Sequence, residues 1–422
     1  DADTYNVVVT DGTGPTPSAA ASLAVAPIAY PQSLRIDPTF DLAVESEVGG
    51  SIVAIADAGG GKVVAAGEFV RVNGNGAIRR LARFDVASGQ LDSSFAPAIN
   101  GLVTAVVVQS DGKVVIGGGF TQVNGASRIN IARLNTDGTT DPSFNPGTGA
   151  NNNVSSLALQ TIAGEQKILV GGFFTNFNSS GRTKLVRLNA AGTVDTTFNA
   201  TVVSTSTITS IAVQTDGQIV VGGSFTGIGG ATVAHLARLN GTSGAIDPTF
   251  NHTGATSNAG ITAGTVNVLL LDASTPQRIL VGGTGLAYNG TTPTSTRLIR
   301  LSSTGTLDAF SAGGTGPNNT VNALALDHAS PRRLLIGGAF TAYGTTTGLS
   351  RVVRVAADTG ALETTPFAPS VGSSTVMALC VPGSSATAPV LMGGFITLVN
   401  NQAVRLIAKV SDTGVRDAAF SH

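Results

Sequence analysis

The sequence of 422 residues contains no tryptophan, four tyrosines, a single cysteine and only 12% charged residues. One cysteine excludes an internal disulfide framework and a thiolate metal site. The net charge is −1 and no segment concentrates Lys and Arg, so the electrostatic footprint that nucleic acid or an anionic membrane requires is missing. No apolar run approaches the roughly 18 residues of a membrane-spanning helix. We therefore expect no nucleic-acid partner and no membrane span.

The sequence is rich in the residues of strands and turns, with 54 glycines, 17 prolines and 42% hydrophobic residues. One short motif occurs seven times, as AAGEFV (65–70), IGGGFT (116–121), VGGFFT (170–175), VGGSFT (221–226), VGGTGL (281–286), IGGAFT (336–341) and MGGFIT (392–397). Successive copies are 51 to 61 residues apart. A period of this size indicates a repeat architecture.

Each copy sits in a unit that reads as four short antiparallel strands. Alternating residues such as VTAVVVQ (103–109) lead through an Asp-Gly turn into the glycine motif, which predicts a β-hairpin. A third strand such as IARLN (131–135) follows, and then a fourth element such as DPSF (141–144). We predict an all-β, seven-bladed β-propeller of four-stranded antiparallel blades. The predicted blades are about 50–97, 101–146, 152–200, 206–252, 264–312, 319–369 and 374–421.

Closure of the ring is expected to involve one end of the chain. A DPTF segment at 37–40 precedes the first complete unit, while DAAF at 417–420 ends the last one. There are thus more candidates for the outer strand than blades, because degenerate copies lie near 308–310 and 363–367. We predict that an end segment completes the closing blade.

The run DGKVVIGGGFT (111–121), with IARLN (131–135) and DPSFNPG (141–147), resembles the delta-60 repeat family of bacteria, and the resemblance covers about 50–421. It implies a β-propeller in a secreted or surface-attached multidomain protein. It brings no assigned reaction, ligand or cofactor. Two units depart from the pattern, since VGGTGLAYNG (281–290) lacks the Phe and the last unit has Lys409 in place of Arg.

Residues 1–27 resemble the last two strands of an immunoglobulin-like module, with DADTY (1–5) spaced like a tyrosine corner. Two strands cannot form a sandwich. We therefore expect residues 1–27 to be the short N-terminal remnant of such a module, 28–36 to be a linker and 37–421 to be the propeller. The chain is expected to be part of a larger extracellular protein.

The residues that recur are interpreted first as structural. A phosphate-binding loop needs a following helix, which the glycine motif lacks, so its glycines are expected to permit close backbone approach or a bulge. The recurring Arg and Asp either line the channel and bind an anion or form buried pairs, and the matched one-per-blade numbers favour pairs. The structural repeat positions are Gly117, Gly118, Phe120, Gly171, Gly172, Phe174, Gly222, Gly223, Phe225, Arg133, Arg187, Arg238, Asp141, Asp195 and Asp247.

Other reactive residues form no recognisable site. The histidines, His235, His252, His328 and His422, lie in different units without metal-ligand spacing. Cys380 aligns with small core residues, and Tyr288 and Tyr343 align with packing residues. Asp111, Asp137 and Asp216 belong to Asp-Gly turns, so no cofactor is predicted, and a structural Ca²⁺ has no motif to support it.

The sequence therefore predicts a non-catalytic extracellular or cell-surface module for binding, adhesion or scaffolding, with an unknown protein or glycan ligand. One alternative is a carbohydrate-active enzyme, a lyase or glycosidase at the channel mouth, which needs two carboxylates in one cleft. The acids to consider are Glu45, Glu47, Glu68, Glu165 and Glu363. Another alternative is a structural subunit of a surface layer or fibre.

Overall fold

The chain divides into two compact units, Asp1–Thr39 and Phe40–His422. In a computed structural model, the described residues are 10–11, 14–15, 44–45, 50–72, 76, 78–203, 206–250, 261–272, 276–288, 297–308, 310, 315–363, 367, 369–372 and 375–417. In the first unit, Thr10–Asp11 pairs antiparallel with Gly14–Pro15. The rest of the predicted immunoglobulin-like remnant and the linker lie outside the described residues.

The second unit is built from antiparallel sheets, which we number 1 to 7 in chain order. Sheets 1 to 3 contain the strands Ile52–Gly59, Lys62–Gly67 and Leu81–Asp85; Leu102–Val108, Val114–Gly119 and Ile131–Leu134; and Val154–Ile162, Glu165–Gly172 and Leu185–Leu188. Sheets 4 and 5 contain Ile208–Val213, Ile219–Gly223 and Leu236–Leu239; and Ile261–Leu271, Ile279–Tyr288, Leu298–Leu301 and Leu307–Asp308. Sheets 6 and 7 contain Val321–Leu326, Arg333–Gly338 and Val352–Ala356; and Val376–Cys380, Val390–Gly394 and Ile407–Val410.

Short two-stranded ribbons accompany these sheets. They pair Val44–Glu45 with Arg71–Val72, Gln122–Val123 with Ala126–Ser127, Ala342–Tyr343 with Thr346–Thr347, and Leu398–Val399 with Gln402–Ala403. The described residues contain strands and turns but no helix, which confirms the prediction of an all-β protein. Accordingly, none of them forms a helix with the length and hydrophobicity needed to cross a bilayer.

The hairpin between the first two strands of a sheet follows from local sequence. In sheet 2 the Gly112 N–H donates to the carbonyl of Gln109, and the Asp111 carboxylate accepts the Lys113 N–H at 3.0 Å. Gly112 has a φ of 80°, which a residue with a side chain adopts only at a cost. The β-branched residues on either side then pair along the hairpin.

The fourth element of each repeat takes a different form from the predicted strand. Sheet 5 has a two-residue fourth strand, Leu307–Asp308. In the other six sheets the described residues show a single antiparallel bridge, such as Leu134 with Thr140, and in sheets 1 to 4 a turn follows it. The turn forms because Asp141 Oδ1 accepts the N–H of Ser143, and because Pro142 cannot donate a hydrogen bond to a neighbouring strand.

Successive sheets pack face to face, and the last packs on the first. In sheets 2 to 7 the contact is made by the first glycine of the motif, over which the next sheet places a β-branched residue, and sheet 1 has Ala66 at this position. A Cβ on Gly171 would lie 2.7 Å from Ile208 Cγ2, and one on Gly393 in sheet 7 would lie 2.5 Å from Ile52 Cγ2 in sheet 1. Leu391 and Ile407 of sheet 7 share a buried cluster with Ile52 and other residues of sheet 1.

The predicted closing segment concerns residues 37–40 and 418–420, which lie outside the described part of the chain. Among the described residues, the strands of sheet 7 come from residues 376–410 alone. Asp417 pairs with Lys409 of the same sheet. In each of sheets 1 to 6 the equivalent acid pairs with the arginine of its own third strand.

Candidate functional site

The two glycines of the recurring motif avoid two different clashes. A Cβ on the first, at Gly117 and Gly222, would overlap a valine of the next sheet, Val154 or Val266. A Cβ on the second, at Gly118, Gly172 or Gly223, would overlap a backbone carbonyl of the first strand of its own sheet. Each first strand also carries a register shift opposite these glycines. These glycines therefore allow close packing and a bulge.

Phe120, Phe174 and Phe225, which follow the glycines, are buried in the cores of sheets 2, 3 and 4. No ligand is needed to explain the motif.

Every sheet has one basic residue in its third strand that is paired with an acid of the same sheet. The nitrogen–oxygen distances are 2.6 to 2.9 Å in the pairs Arg83–Asp92, Arg133–Asp141, Arg187–Asp195, Arg238–Asp247, Arg300–Asp308, Arg354–Glu363 and Lys409–Asp417. In sheets 1 to 6 the guanidinium carbon also lies 4.6 to 4.9 Å from the centroid of a phenylalanine ring. Such stacking adds a cation–π attraction to the ion pair.

The same basic residues join each sheet to the next one. Arg133 of sheet 2 donates to the carbonyl of Ala190 in the turn after the third strand of sheet 3, at 2.5 Å. Lys409 of sheet 7 donates to Val86 and Ala87 of sheet 1, at 2.7 and 3.1 Å. These basic residues are therefore bonded to acids and carbonyls of the fold, and they do not form a set of free anion-binding groups.

Four of the acids in these pairs, Asp92, Asp141, Asp195 and Asp247, have a pKa below the ordinary value of 3.8. Burial opposes the ionisation of Asp195, but the hydrogen bonds from Thr197 and the charge of Arg187 outweigh it and hold the pKa below 3.8. The pKa of Asp141 is lowered in the same way, against burial, by Lys113, Ser143 and Arg133. A carboxylate held in this state is a poor general acid at neutral pH.

The remaining candidate residues are placed as single, separate groups. Burial raises the pKa of the Cys380 thiol to about 12, so it is not a thiolate nucleophile. The Tyr343 hydroxyl donates to the carbonyl of Gly360 at 2.7 Å and is buried. His235 is half-buried and His328 lies in a different sheet, and the described residues contain no cluster of His, Cys, Asp and Glu able to hold a metal. His252 and His422 lie outside the described residues.

The acids proposed for a glycosidase are not brought together where the structure describes them. Glu165 is in the turn of the first hairpin of sheet 3 and pairs with Lys167 at 2.8 Å. Glu68 is at the opposite end of sheet 1, 3.8 Å from Arg80. Glu363 is bound to Arg354 in sheet 6. The side chains of Glu45 and Glu47 lie outside the described residues.

A cleft of about 590 Å³ lies at the seam between sheets 7 and 1. It is lined by Val86, Thr387, Pro389, Lys409, Val415 and Asp417, among others. The cleft lies where Lys409 takes the place of the third-strand arginine. A lysine has no planar guanidinium group to stack on a phenylalanine ring, as the arginines do in sheets 1 to 6. Lys409 and Asp417 are bonded to each other, so this pair stabilises the seam.

A second feature was not visible in the linear sequence. The three residues before each third strand are IRR (78–80), RIN (128–130), RTK (182–184), VAH (233–235), STR (295–297), LSR (349–351) and VRL (404–406). These 21 positions contain eight Arg or Lys and no acid, although the whole chain has only 24 Arg and Lys. We call the eight the basic collar; they are Arg79, Arg80, Arg128, Arg182, Lys184, Arg297, Arg351 and Arg405.

Backbone hydrogen bonds place the collar at one end of the sheets. The N–H of Lys184 donates to the carbonyl of Phe174, just beyond the second strand, and that of Arg351 donates to Phe340. We call this end, where second strands finish and third strands start, the loop face, and the opposite end with the Asp-Gly turns the turn face. The repeated packing of sheets brings residues about 50 positions apart onto the same face.

The residue directly before the third strand has a strained backbone in six sheets. The φ values are 69° for Arg80, 62° for Asn130, 60° for Lys184, 62° for His235, 65° for Arg351 and 67° for Leu406. Backbone geometry alone would favour glycine or asparagine at such positions. Only Asn130 fits that preference, so the basic residues at this position call for another explanation. Alignment of the seven repeats on their third strands is the signal that could have revealed them.

The comparisons with known proteins follow the same repeats. Five segments match a β-propeller family model. It is described as a domain of unknown function (DUF5122) beta-propeller, and it matches residues 61–95, 109–144, 167–198, 214–250 and 278–310. In sheets 1 to 5, each DUF5122 segment begins within or just before the second strand. It ends at the phenylalanine that follows the paired acid, and we call the segment from this acid to the phenylalanine the acid–phenylalanine turn. The match supports a bacterial β-propeller repeat family. A comparison with curated proteins finds no match to this chain.

Solved β-propellers resemble the chain at low identity. The WD40 beta propeller domain of Doa1 is 12% identical, with a TM-score of 0.51 over 84% of this chain and 93% of that chain, which shows the fold alone. The extracellular domain of the hybrid two-component system BT3049 from B. thetaiotaomicron is 13% identical, with a TM-score of 0.48 over 84% of this chain and 38% of that one. Virginiamycin B lyase from Staphylococcus aureus is 14% identical, with a TM-score of 0.40 over 74% and 87%.

Proposed function

We propose that the chain is a non-catalytic binding, adhesion or scaffolding module of the bacterial cell surface or extracellular space. In this proposal the seven sheets are the blades of one closed ring, with the acid–phenylalanine turn in the place of a fourth strand. The extracellular location is supported by the resemblance to the delta-60 repeats. The proposal includes no cofactor.

The observation that carries the proposal is the distribution of exposed apolar side chains. Seven large hydrophobic residues are exposed among the described residues, and five belong to the loop face: Ile129, Phe173, Val203, Phe395 and Leu398. Exposed apolar groups gathered on one surface mark contact sites, and loops on a rigid scaffold are where binding residues concentrate. The two on the turn face are Leu307 and Val415.

The chemistry of the ionisable groups supports a role without catalysis. Seven basic residues and seven acids are bonded to each other in the ion pairs described above. The described glutamates lie in different sheets or at opposite ends of them, so they do not supply the two carboxylates that a glycosidase requires.

A binding screen with the full 422-residue chain tests the proposal. Glycans and matrix proteins are immobilised, and any ligand found is measured again with Phe173→Ser, Phe395→Ser and the matched control Leu307→Ser. The exposed fractions are 46%, 43% and 44%, so the three variants remove similar amounts of exposed apolar surface. We expect at least one loop-face variant to weaken binding by about 5- to 30-fold, the effect of losing an aromatic contact of about 1–2 kcal/mol.

Two results would contradict the proposal. One is the absence of any ligand together with the formation of regular fibres or sheets, seen by electron microscopy, which would favour a structural subunit. The other is turnover of a polysaccharide by the purified chain that Phe173→Ser and Phe395→Ser leave unchanged.

A further inference from the structure

The charges outside the seven pairs are divided unequally between the two faces. Residues 1–49 hold Arg35 and seven acids, which leaves 23 basic and 18 acidic residues in the rest of the chain. After the seven pairs are removed, 16 basic and 11 acidic residues remain. Nine of these basic residues and a single acid, Glu68, belong to the loop face, whereas seven basic and ten acidic residues belong to the turn face. Among residues beyond position 49, the loop face thus has a surplus of eight positive charges, and the turn face a surplus of three negative ones. Glu45, which is opposite Arg71 in a ribbon of the loop face, lowers the first surplus to seven.

This division is complete for the second unit beyond residue 49. The segments between 50 and 417 that lie outside the described residues contain no Asp, Glu, Lys or Arg. The ninth basic residue, Arg71, is opposite Glu45 in the register of a ribbon, and we leave it out of the collar for that reason.

The collar arginines differ from the paired arginines in how they are bonded. Arg187 is 1% exposed and donates hydrogen bonds to Asp195, Gln160, Thr197 and two carbonyls of the next sheet. By contrast, the guanidinium groups of Arg79 and Arg297 have no hydrogen bond or ion pair with any other described residue. Arg79 and Arg405 are exposed. Arg80, Arg128 and Arg182 each have a partner for a terminal guanidinium nitrogen, Glu68, Ser127 and Asn199 respectively, but their buried Nε–H groups find no acceptor among the described residues. The fold thus leaves Arg79 and Arg297 with fewer side-chain bonds than Arg187, whereas Lys184 is buried and donates to the carbonyl of Phe173 at 2.7 Å, and Arg351 donates to that of Ala339 at 2.9 Å.

We propose that the basic collar binds an acidic polysaccharide, a carboxylated or sulfated glycan, across the loop face. This inference rests on the proposed binding function and names its partner class. Guanidinium groups bind carboxylate and sulfate oxygens through parallel hydrogen bonds, and seven of the eight collar residues are arginines. The exposed rings of Phe173 and Phe395 offer apolar faces on the same surface for the C–H faces of sugar rings.

Other polyanions fit the surface less well. Single-stranded nucleic acid is held by aromatic side chains on which successive bases stack, whereas Phe173 and Phe395 belong to sheets 3 and 7 and do not form such a series. A second copy of the chain would have to dock its turn face, whose surplus of three negative charges leaves most of the collar unmatched. A polysaccharide with one anionic group per repeat supplies the missing charge.

The experiment measures binding of the full chain to four probes: polygalacturonate, heparin, neutral dextran and a single-stranded DNA oligonucleotide. Measurements at 50 mM and 300 mM NaCl are compared. We expect binding to polygalacturonate or heparin but not to dextran, weakened about tenfold or more at the higher salt because exposed charges are screened.

Charge reversals identify the surface. Arg79→Glu and Arg405→Glu alter exposed collar residues, and Arg332→Glu alters an exposed residue of the turn face with the same change in net charge. Each collar variant should weaken binding about three- to fivefold, and the control less than about twofold. Thermal melting of each variant establishes that it is folded.

The inference is overturned if neither polyanion binds at 50 mM NaCl, if Arg332→Glu weakens binding as much as the collar variants, or if the DNA binds more tightly than both glycans. Salt-sensitive self-association in sedimentation, without glycan binding, would instead assign the collar to a second copy. If the earlier screen yields a ligand that the phenylalanine variants lose and the collar variants keep, the binding function stands and only the partner class is wrong.

Discussion

Replacement of Arg187 by alanine tests the central physical claim about the ring, that each third-strand arginine holds its own sheet together and joins it to the next. The side chain is 1% exposed, is paired with Asp195 at 2.8 Å and lies 4.6 Å from the centre of the Phe198 ring. Its removal leaves Asp195 buried with hydrogen bonds from Thr197 alone, and leaves the carbonyl of Thr242 in sheet 4 without its donor.

Breaking a buried pair by removing one partner costs about 3–5 kcal/mol, since the other charge stays buried and uncompensated. For about 370 residues that unfold together, an unfolding entropy of roughly 2.1 cal/mol/K per residue converts this loss into a melting temperature lower by about 4–6 °C. Arg187→Lys should lose less, because Lys409 at the equivalent place in sheet 7 still reaches Asp417 and two carbonyls of sheet 1.

The measurement is calorimetric melting at pH 7, since a chain without tryptophan has little intrinsic fluorescence. Arg182→Ala is the matched control in the same sheet, where a half-buried arginine makes one hydrogen bond to Asn199, and it should cost less than about 1 kcal/mol. The pKa of Asp195 is lowered in the folded state, so the pair stabilises above the ordinary value of 3.8 and loses its effect as the pH falls below it. The difference between wild type and Arg187→Ala should therefore shrink on acidification below about pH 4. Equal melting of Arg187→Ala and Arg182→Ala at pH 7 would refute the reasoning.

Three further predictions concern the glycines, the cysteine and a buried tyrosine. Gly117→Ala should cost about 1–2 kcal/mol of unfolding free energy, because the Val154 side chain that its new Cβ meets can move. Gly118→Ala should cost at least twice as much, because its new Cβ meets the rigid backbone carbonyl of Leu102, and equal urea midpoints would contradict this. Cys380, with its pKa raised to about 12, should resist a thiol reagent at pH 8 in the native chain and react once the chain is unfolded in urea, so rapid native labelling would disprove its burial. Tyr343→Phe should cost about 1 kcal/mol through loss of the hydrogen bond to Gly360, and an unchanged urea midpoint would count against that bond.

The repeated part of the fold could be predicted because it is written several times in one sequence. The glycine motif, the Asp-Gly hairpins and the arginine of the third strand recur with fixed spacing, and from them follow an all-β chain and propeller repeats, both of which are confirmed. The form of the fourth element was harder to predict. A sequence such as DPSF has the length of a short strand, but its Asp caps a turn and its Pro cannot donate a strand hydrogen bond, so only one bridge remains.

The collar could not be predicted from charge runs, for a geometric reason. Its members are single residues or pairs about 50 positions apart, and no window of the sequence contains an excess of positive charge. The packing of successive sheets side by side places them on one face. Apart from Glu68, which is 3.8 Å from Arg80, and Glu45, which is opposite Arg71, the acids that would cancel them in a composition count are in residues 1–49, in the seven pairs or on the turn face.

The strained position before the third strand shows how a repeating scaffold can present a surface that does not repeat. Its backbone is held by two hydrogen bonds per sheet, as when the Lys184 N–H donates to Phe174 and its carbonyl accepts from Gly172, so the main chain is the same whatever the side chain. The side chain at this position varies in type and in burial: the seven sheets carry Arg, Asn, Lys, His, Arg, Arg and Leu there, of which Asn130, Lys184 and Leu406 are buried. Each left-handed non-glycine residue costs of order 1–3 kcal/mol, a cost that the ring bears because the sheets on both sides over-determine the backbone. We therefore infer that the main chain at this position serves the packing of the sheets, whereas the side chains that reach the surface differ from one sheet to the next.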